Sequence, residues 1–198
     1  MSTPIDPAAL AALFDDAHTA YAFTGDDVTD EELARIYELA RLAPTALNCQ
    51  PLRVTFARGA GKGRLIQHLA EGNRAKSQSA PVTAVLSYDI DFHESLPTLA
   101  PQSTGARERF VDDPAGREAF ARMNAAMQAG YFILAARALG LDAGPMGGFD
   151  KAGMDAELHP DSALRSFLVV NLGHAAEGGT FPRNPRHEVD DAVTFVRS

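Results

Sequence analysis

The sequence has one cysteine, no tryptophan, no block of basic residues and no apolar run long enough to cross a bilayer. The single cysteine, Cys49, cannot form an internal disulfide. The formal net charge is −8 at pH 7 and the basic residues are scattered, which disfavours nucleic acid and anionic membranes as partners. Residues 1–10 lack the basic and apolar regions of a signal peptide. We therefore expect a cytoplasmic protein that neither spans nor binds a membrane.

The usual signatures of metal and covalent catalysis are also missing. The six histidines form no close pair with metal-ligand spacing, so no metal site is predicted. There is no Gly-x-Ser-x-Gly nucleophile elbow. Residues 59–63 read Gly-Ala-Gly-Lys-Gly, but Phe56 stands where a phosphate-binding loop begins with glycine, and Gly63 replaces its Ser or Thr. An enzyme of this composition would need an organic cofactor to carry its chemistry.

The length of 198 residues is enough for one sizeable core. We expect a single domain over residues 1–198, with residues 178–198 as a C-terminal arm. The sequence Thr29-Asp30-Glu31-Glu32 has the form of a capping box, and it predicts a helix that ends at Pro44.

Apolar periodicity predicts further elements. Helices are predicted over 7–16 and 61–71, and an alternating strand over 53–58. Residues 82–88 and 167–172 are nearly continuously apolar, which is typical of strands that are covered on both faces. These two strands are therefore predicted at the centre of a sheet.

The longest predicted helix begins at Asp113-Pro114 and ends at Gly140. Apolar side chains occur around more of this helix than a surface helix needs, so we expect it to be buried on more than one side. One stripe consists of Phe120, Met123, Met127, Tyr131, Leu134 and Ala138. Burial against a second subunit would explain the pattern, and a homodimer is predicted.

Two polar loops follow predicted helices and could frame one ligand. The first, residues 43–51, reads Ala-Pro-Thr-Ala-Leu-Asn-Cys-Gln-Pro and offers a hydroxyl and two amides. The second, residues 140–150, has glycines around Pro145, which would let a flat ligand approach the backbone closely. Each loop taken alone is also explained as an ordinary helix stop.

Taken together, the two loops resemble those of the nitroreductase family, FMN-dependent enzymes that use NAD(P)H. Residues 43–51 are similar to the family signature Ala-Pro-Ser-x-x-Asn-x-Gln-Pro, and residues 144–150 are similar to its loop over the flavin ring. The likeness covers essentially the whole chain. It implies an α+β fold, a three-layer α-β-α sandwich with a central, mostly antiparallel sheet, a long central helix at the dimer interface, and FMN at that interface.

The resemblance also implies roles for residues near the isoalloxazine ring. Asn48 would hydrogen-bond the polar edge of the ring, and Gln50 and Pro51 would support that loop. Gly147 and Gly148, which follow Pro145 and Met146, would direct backbone N–H groups at the N5 and O4 region, where charge shifts as hydride arrives or leaves. Since FMN carries the chemistry, no side chain is predicted to be catalytic.

The FMN phosphate is expected near the two chain ends. Arg183 and Arg186 match the C-terminal basic residues of the family, and His18 stands where relatives usually carry an arginine. The other interpretation is a surface histidine and two solvated arginines. The residues predicted to bind the cofactor are His18, Asn48, Gln50, Pro51, Pro145, Met146, Gly147, Gly148, Arg183 and Arg186.

The predicted reaction is ping-pong: NAD(P)H reduces the flavin and leaves, and a small acceptor is then reduced. Residues 124–129 and 138–146 most closely resemble the malonic semialdehyde reductase branch of pyrimidine degradation, which implies reduction of that aldehyde to 3-hydroxypropanoate. The groups considered for binding its carboxylate are Arg107, Arg109 and Asn124.

Other functions are open at this stage. A broad nitroaromatic or quinone reductase would need an open apolar slot, for which Phe92, Phe110 and Phe149 are candidates. A flavin-binding protein with little turnover and a cofactor-free structural dimer are the alternatives from other classes. The sequence has no Gly-x-Gly-x-x-Gly fingerprint after a strand, so it does not decide between NADH and NADPH.

Overall fold

An antiparallel sheet of four strands lies at the centre of the fold. In this computed structural model, which describes residues 3–197, the strands are β1 (Leu52–Ala57), β2 (Val82–Asp89), β3 (Asp142–Met146) and β4 (Leu164–Gly173). Their order across the sheet is β1-β2-β4-β3. The two nearly continuous apolar segments are therefore the central strands, as predicted, because both faces of these strands are covered.

Helices cover both faces of the sheet. They are α1 (Pro7–Leu10), α2 (Asp30–Ala40), α3 (Gly59–Ile66), α4 (Glu71–Ser79), α5 (Leu96–Leu99), α6 (Pro114–Ala138), α7 (Lys151–Leu158) and α8 (Val189–Ala192). A π-helical turn, Ala11–Asp15, continues α1, and short 3-10 turns cover Ala46–Asn48, Ile90–Ser95 and Glu108–Phe110. The capping box of α2 is present: Glu32 N donates to Thr29 Oγ1 at 3.2 Å, and Thr29 N donates to Glu32 Oε2 at 2.7 Å.

The alternation of side chains along the central strands produces two cores. Leu86 on β2 and Val170 on β4 pack with α2 and α6 on one face of the sheet. Val85 and Val169, their neighbours in sequence, pack with Leu65 of α3 and Met154 of α7 on the other face. Because successive residues of a strand point to opposite faces, one strand pair supplies both cores.

The long helix α6 turns mostly alanines toward the sheet, together with Phe132 and two carboxamides. Its buried face consists of Ala121, Asn124, Ala125, Gln128, Ala129, Phe132, Ala135 and Ala136. Of the predicted apolar stripe, Met123, Met127 and Tyr131 are exposed, with 55%, 41% and 44% of their surface accessible. Alanines let the helix axis lie close to the strands, and Met123, Met127 and Tyr131 lie on the face that points away from the core of the chain.

The segment predicted as a glycine-rich loop contains strand β3. It pairs antiparallel with β4, with Pro145 opposite Val170. Proline is tolerated here because β3 lies at the edge of the sheet. The other side of β3 contacts the N-terminal segment, where Thr19 and Ala143 form a parallel bridge. This contact brings the N-terminal segment to the sheet edge from which the second predicted site loop leaves.

Within the described part of the chain, no helix combines the length and the apolar character that a bilayer crossing requires. Among the same residues, no group of three or more His, Cys, Asp or Glu side chains is arranged to hold a metal ion.

Candidate functional site

A polar cleft lies between the N-terminal segment and the C-terminal arm. It has a volume of about 150 Å³, and its lining residues are Ala17, His18, Thr19, Tyr21, Arg137, Phe181, Pro182, Arg183, Asn184 and Arg186. The structure thus brings together His18, Arg183 and Arg186, which the sequence places far apart. None of the lining residues is acidic. A cleft of this size with three arginines fits a phosphate group, which arginine binds by charge-assisted hydrogen bonds.

Arg183 ties the arm to the N-terminal segment. Its Nη2 donates to the carbonyl oxygens of Phe14, Asp15 and Ala17 at 2.9, 2.8 and 2.9 Å. His18 Nδ1 lies 3.0 Å from the carbonyl oxygen of Phe181. Since Nη2 is committed to these carbonyls, only the remaining nitrogens of Arg183 are available to a ligand in the cleft.

Arg137 is a member of the cleft that sequence reasoning missed. It lies in the last turn of α6, and its Nη1 donates to the carbonyl oxygen of Leu13 at 3.0 Å. Its Nε is buried and has no hydrogen-bond partner among residues 3–197. Burial, and then the charge of nearby Arg183, lowers the pKa of Arg137. Basic residues are common in the last turn of a helix because they interact favourably with the helix dipole. The sequence therefore gives no signal that Arg137 lines a cleft.

A row of side chains leads from the cleft to the predicted glycine pair. The rings of Tyr21 and Phe181 are 4.7 Å apart, and Lys76 Nζ lies 5.0 Å from the centroid of the Tyr21 ring. One turn earlier in α4, Asn73 Nδ2 donates to the carbonyl oxygen of Gly148 at 2.8 Å. Burial lowers the pKa of Lys76. Sequence reasoning missed Asn73 and Lys76, because α4 was not predicted.

The glycine pair itself is exposed. Gly147 and Gly148 follow Pro145, which is half-buried, and Met146, whose side chain is buried in the core under α3 and α7. A Cβ atom added at Gly148 would lie 3.0 Å from Asn73 Nδ2, whereas one at Gly147 would have no atom within 4 Å. Gly147 is therefore open on its Cα side, whereas Gly148 lies against Asn73, and both residues are exposed to solvent.

The loop of residues 43–51 has an unusual backbone. Leu47, Asn48 and Gln50 have φ values of 57°, 50° and 39°, which residues other than glycine rarely adopt. Asn48 is exposed, and its Nδ2 donates to the carbonyl oxygen of Leu99 at 2.8 Å. Gln50 Nε2 donates to Asn48 Oδ1, also at 2.8 Å. Pro51 is buried, and its carbonyl oxygen accepts from Asp89 N. The two amides that the sequence marked thus form one connected unit.

Cys49, in the middle of this loop, is buried. Only 1% of its surface is accessible, and burial raises its pKa to about 11. A thiol with this pKa is almost entirely protonated at neutral pH.

The two predicted loops do not meet within one chain. Residues 43–51 lead into β1, and Gly147 and Gly148 follow β3. These are the two edge strands, with β2 and β4 between them. Neighbouring strands are about 4.8 Å apart, so the loops are separated by roughly 14 Å of sheet. The phosphate-sized cleft and the glycine pair share one edge, and the Asn48 loop lies at the other.

The residues that were considered for substrate binding differ in whether their side chains are available to a ligand. Asn124 is fully buried, accepts from Ala46 N and donates to the carbonyl oxygen of Phe120, so its carboxamide is not available to a substrate. Arg107 forms two hydrogen bonds of 2.8 Å with Glu94. Arg109 is exposed. Of the aromatic candidates, Phe92 is fully buried and does not line an open slot.

Comparison with known proteins identifies relatives along almost the whole chain. The model described as "Nitroreductase family" matches residues 14–174. A protein of Leptothrix cholodnii, provisionally named NADH dehydrogenase/NAD(P)H nitroreductase, is 53% identical over 197 residues, which cover 99% of this chain and 100% of that relative. A Streptomyces coelicolor protein with the same provisional name is 56% identical over 187 residues, which cover 94% and 93% of the two chains.

A solved structure confirms the fold class. A protein of Exiguobacterium sibiricum, provisionally named a nitroreductase and crystallised in complex with FMN, superimposes with a TM-score of 0.83. The match covers 98% of this chain and 99% of that chain at 20% sequence identity. The predicted α+β sandwich with a mostly antiparallel central sheet is therefore confirmed, and the sheet of this chain is antiparallel throughout.

Proposed function

The chain belongs to the nitroreductase family, and on this premise we propose that it is an FMN-dependent oxidoreductase that takes hydride from NADH or NADPH. The names of its relatives and the FMN complex of a structural neighbour support this proposal. Among the features of the chain itself, one carries the proposal: a cleft with three arginines continues along Tyr21 and Lys76 to an exposed, glycine-lined backbone.

The residues on this sheet edge fit the parts of FMN. Arg137, Arg183, Arg186 and His18 would hold the phosphate, since they surround a small cleft without an acidic group. The backbone of Gly147–Gly148 would contact the ring system, because no side chain of its own covers it. When bound, FMN would supply the transfer of hydride from the nicotinamide to the second substrate. The protein binds and orients it, and the buried Met146 and the Asn73 bond to Gly148 keep the glycine pair in place.

We propose that the complete site forms in a homodimer of single-domain subunits. The Asn48 loop and the glycine pair lie on opposite edges of the sheet, so a second copy would be needed to bring the two predicted halves of the ring site together. The exposed apolar face of α6 supports this assembly, as do Val193 and Phe195 of the arm, which are 45% and 67% exposed. Large apolar patches on a protein surface commonly mark contacts with a partner.

Malonic semialdehyde is the acceptor that we propose first. This proposal rests on the subfamily likeness of residues 124–129 and 138–146. Of the groups considered for its carboxylate, Asn124 and Arg107 are engaged with other partners, which leaves the exposed Arg109. We predict that Arg109→Gln raises the KM for malonic semialdehyde about tenfold and leaves that for an uncharged quinone unchanged, because only the aldehyde substrate carries a carboxylate. Steady-state kinetics with both acceptors measures the two values.

A broad nitroaromatic or quinone reductase is the second candidate, favoured by the provisional nitroreductase names of the relatives. Anaerobic stopped-flow mixing of the FMN-loaded protein with NADH and with NADPH tests the common part of both proposals. Rapid bleaching of the flavin is expected with at least one nucleotide. If neither NADH nor NADPH bleaches the flavin, the result supports a flavin-binding protein with little turnover. If the protein stays colourless after incubation with FMN, the result supports a structural dimer.

Reoxidation then separates the two acceptors. The reduced protein is mixed with malonic semialdehyde, a quinone and a nitroaromatic compound in turn. Reoxidation that is at least tenfold faster with the aldehyde supports the first candidate. The opposite order contradicts it and supports the second.

A further inference from the structure

Two buried carboxamides on α6 hold the ends of the Asn48 loop. Asn124 and Gln128 are one helical turn apart on the buried face, and their surfaces are 0% and 1% accessible. Asn124 Oδ1 accepts from Ala46 N at 2.7 Å, and Gln128 Oε1 accepts from Leu52 N at 3.0 Å. Burying a carboxamide is unfavourable unless it forms hydrogen bonds. Most other residues on this face are alanines, so packing against the sheet does not by itself require a carboxamide. These two side chains therefore have a specific task at the loop.

The segment between the two bonds is the one with the unusual backbone. Leu47, Asn48 and Gln50 all lie in the left-handed region, and none is a glycine. Such residues persist only where the surroundings fix them. The bond to Ala46 lies just before this segment, and the bond to Leu52 lies just after it. The two bonds thus fix both ends of a strained turn whose exposed side chain is Asn48.

We propose that Asn124 and Gln128 are positioning residues that fix the left-handed turn through which Asn48 and Gln50 reach FMN. The inference rests on the proposed function. Neither residue touches the cofactor in this proposal: each acts through the backbone of the 46–52 segment. Loss of the Gln128 acceptor leaves the N–H of the fully buried Leu52 without this partner, and loss of the Asn124 acceptor releases the N–H of Ala46. Either loss releases one end of the strained turn, so the carboxamide of Asn48 loses its fixed direction.

The chain contains its own reporter for this turn. Cys49 is the only cysteine, it lies within the turn, and it is 1% accessible. Its rate of labelling by a disulfide reagent in the FMN-free protein measures how often the turn opens, because the buried thiol must become accessible and ionise before it reacts. This measurement is independent of FMN and of activity.

The variants are Asn124→Leu and Gln128→Met, which remove the acceptors with little change in volume. Gln128→Glu retains an acceptor toward Leu52 N and serves as the conservative variant. The control is Ser87→Ala: Ser87 is equally buried, and its hydroxyl bonds His159 and Ser166 on the opposite face of the sheet. Circular dichroism and thermal unfolding of each variant show whether it is folded. The readouts are the Cys49 labelling rate, the Kd for FMN from fluorescence quenching and the midpoint potential of bound flavin.

We expect Asn124→Leu and Gln128→Met to raise the Cys49 labelling rate and the FMN Kd by about tenfold or more, which corresponds to about 1.4 kcal/mol. The flavin potential should become more negative, because a donor near the polar edge of the ring favours the reduced form. Gln128→Glu should lie closer to the wild type in all three measurements. Ser87→Ala should match the wild type in labelling rate, Kd and potential even where its melting temperature falls.

Three outcomes would overturn the inference, and they have different meanings. If the wild type binds FMN while folded Asn124→Leu and Gln128→Met match Ser87→Ala in labelling and Kd, the positioning role alone is wrong. If both variants unfold, the comparison of Gln128→Glu with Ser87→Ala decides: labelling and Kd close to the wild type support the role, because this variant retains the acceptor, and a rise in both that is clearly larger than in the control contradicts it. If the wild type does not bind FMN, the proposed function fails and the inference fails with it.

Discussion

Arg183 and Arg186 of the cleft differ in the hydrogen bonds that they form with the rest of the protein. Arg183 donates from one nitrogen to three carbonyl oxygens of the N-terminal segment. Within residues 3–197, Arg186 hydrogen-bonds only the neighbouring carbonyls of Asn184 and Pro185. The first therefore has a structural role besides any contact with a ligand. The second is exposed and contributes little to the fold.

This difference predicts distinct effects for two variants. Arg186→Gln should weaken FMN binding about tenfold without a change in melting temperature, since an exposed charge-assisted hydrogen bond contributes about 1.5 kcal/mol. Arg183→Gln should weaken binding and also lower the melting temperature of the FMN-free protein. Isothermal titration and differential scanning calorimetry measure the two quantities. A lower melting temperature for Arg186→Gln alone would contradict this division.

His159 links the stability of the protein to pH. Its Nε2 lies 2.9 Å from Ser87 Oγ, and burial lowers its pKa from the ordinary value of 6.5. A histidine with a lowered pKa in the folded state favours folding above its unfolded pKa, and this contribution is lost as the pH falls from 6.5 toward the folded pKa. We expect the melting temperature to fall on acidification through this range, and less steeply in His159→Gln. Equal slopes from pH 8 to pH 5 in both proteins would contradict the assignment.

At the scale of elements, β3 depends on the close approach of the N-terminal segment. A Cβ atom at Gly144 would lie 2.6 Å from the backbone oxygen of Ala20, which cannot move without breaking the pairing. At Gly147, a Cβ atom would meet nothing within 4 Å. These two glycines, three residues apart, therefore serve different purposes.

Gly144→Ala should destabilise the protein by about 1 to 3 kcal/mol, because the added methyl group overpacks against a fixed backbone. Gly147→Ala is the matched control and should leave stability within about 0.5 kcal/mol of the wild type. Chemical denaturation of the FMN-free proteins measures both. Equal stability of the two variants would show that the N-terminal segment does not lie against β3 as described.

The elements also show what the sequence pattern could predict. The capping box of α2 and the apolar central strands were recognised because their signals are local and strong. Helix α4 was missed because Glu71–Ser79 contains one apolar residue, Ala75, and so has no apolar period. Strand β3 was missed because its Gly144 and Pro145 are typical of turns, and only its position at the sheet edge allows them.

The same limits apply to the candidate site. The loops around Asn48 and Gly147 were found from their polar and glycine-rich composition after helices. Their residue roles came from the family resemblance and are still predictions. Asn73 and Lys76 were missed together with α4. Asn124 and Gln128 were missed as loop partners because a polar residue in a helix usually indicates an exposed face, and only the packing against the sheet shows that these two are buried.

At the scale of the whole molecule, the separation of the two site loops determines what can bind where. The cationic cleft and the glycine pair share the β3 edge, whereas the Asn48 loop lies at the β1 edge. A single chain therefore presents the cleft and one side of the proposed ring site. If the second side comes from another copy, cofactor affinity must depend on assembly, since the dimer alone offers both sets of contacts.

The exposed face of α6 allows this dependence to be tested. Met123 and Met127 are one turn apart and 55% and 41% exposed. In the double variant Met123→Glu and Met127→Glu, two carboxylates would have to be desolvated at the proposed contact, so we expect a monomer at micromolar concentration and at least a tenfold higher FMN Kd. Ala152→Glu, on an exposed position of α7 across the sheet, is the control and should remain a dimer with unchanged affinity. Sedimentation velocity and fluorescence titration report the two properties on the same samples. A monomeric wild type with full FMN affinity would show that one chain is sufficient and that the Asn48 loop of a second copy is not part of the site.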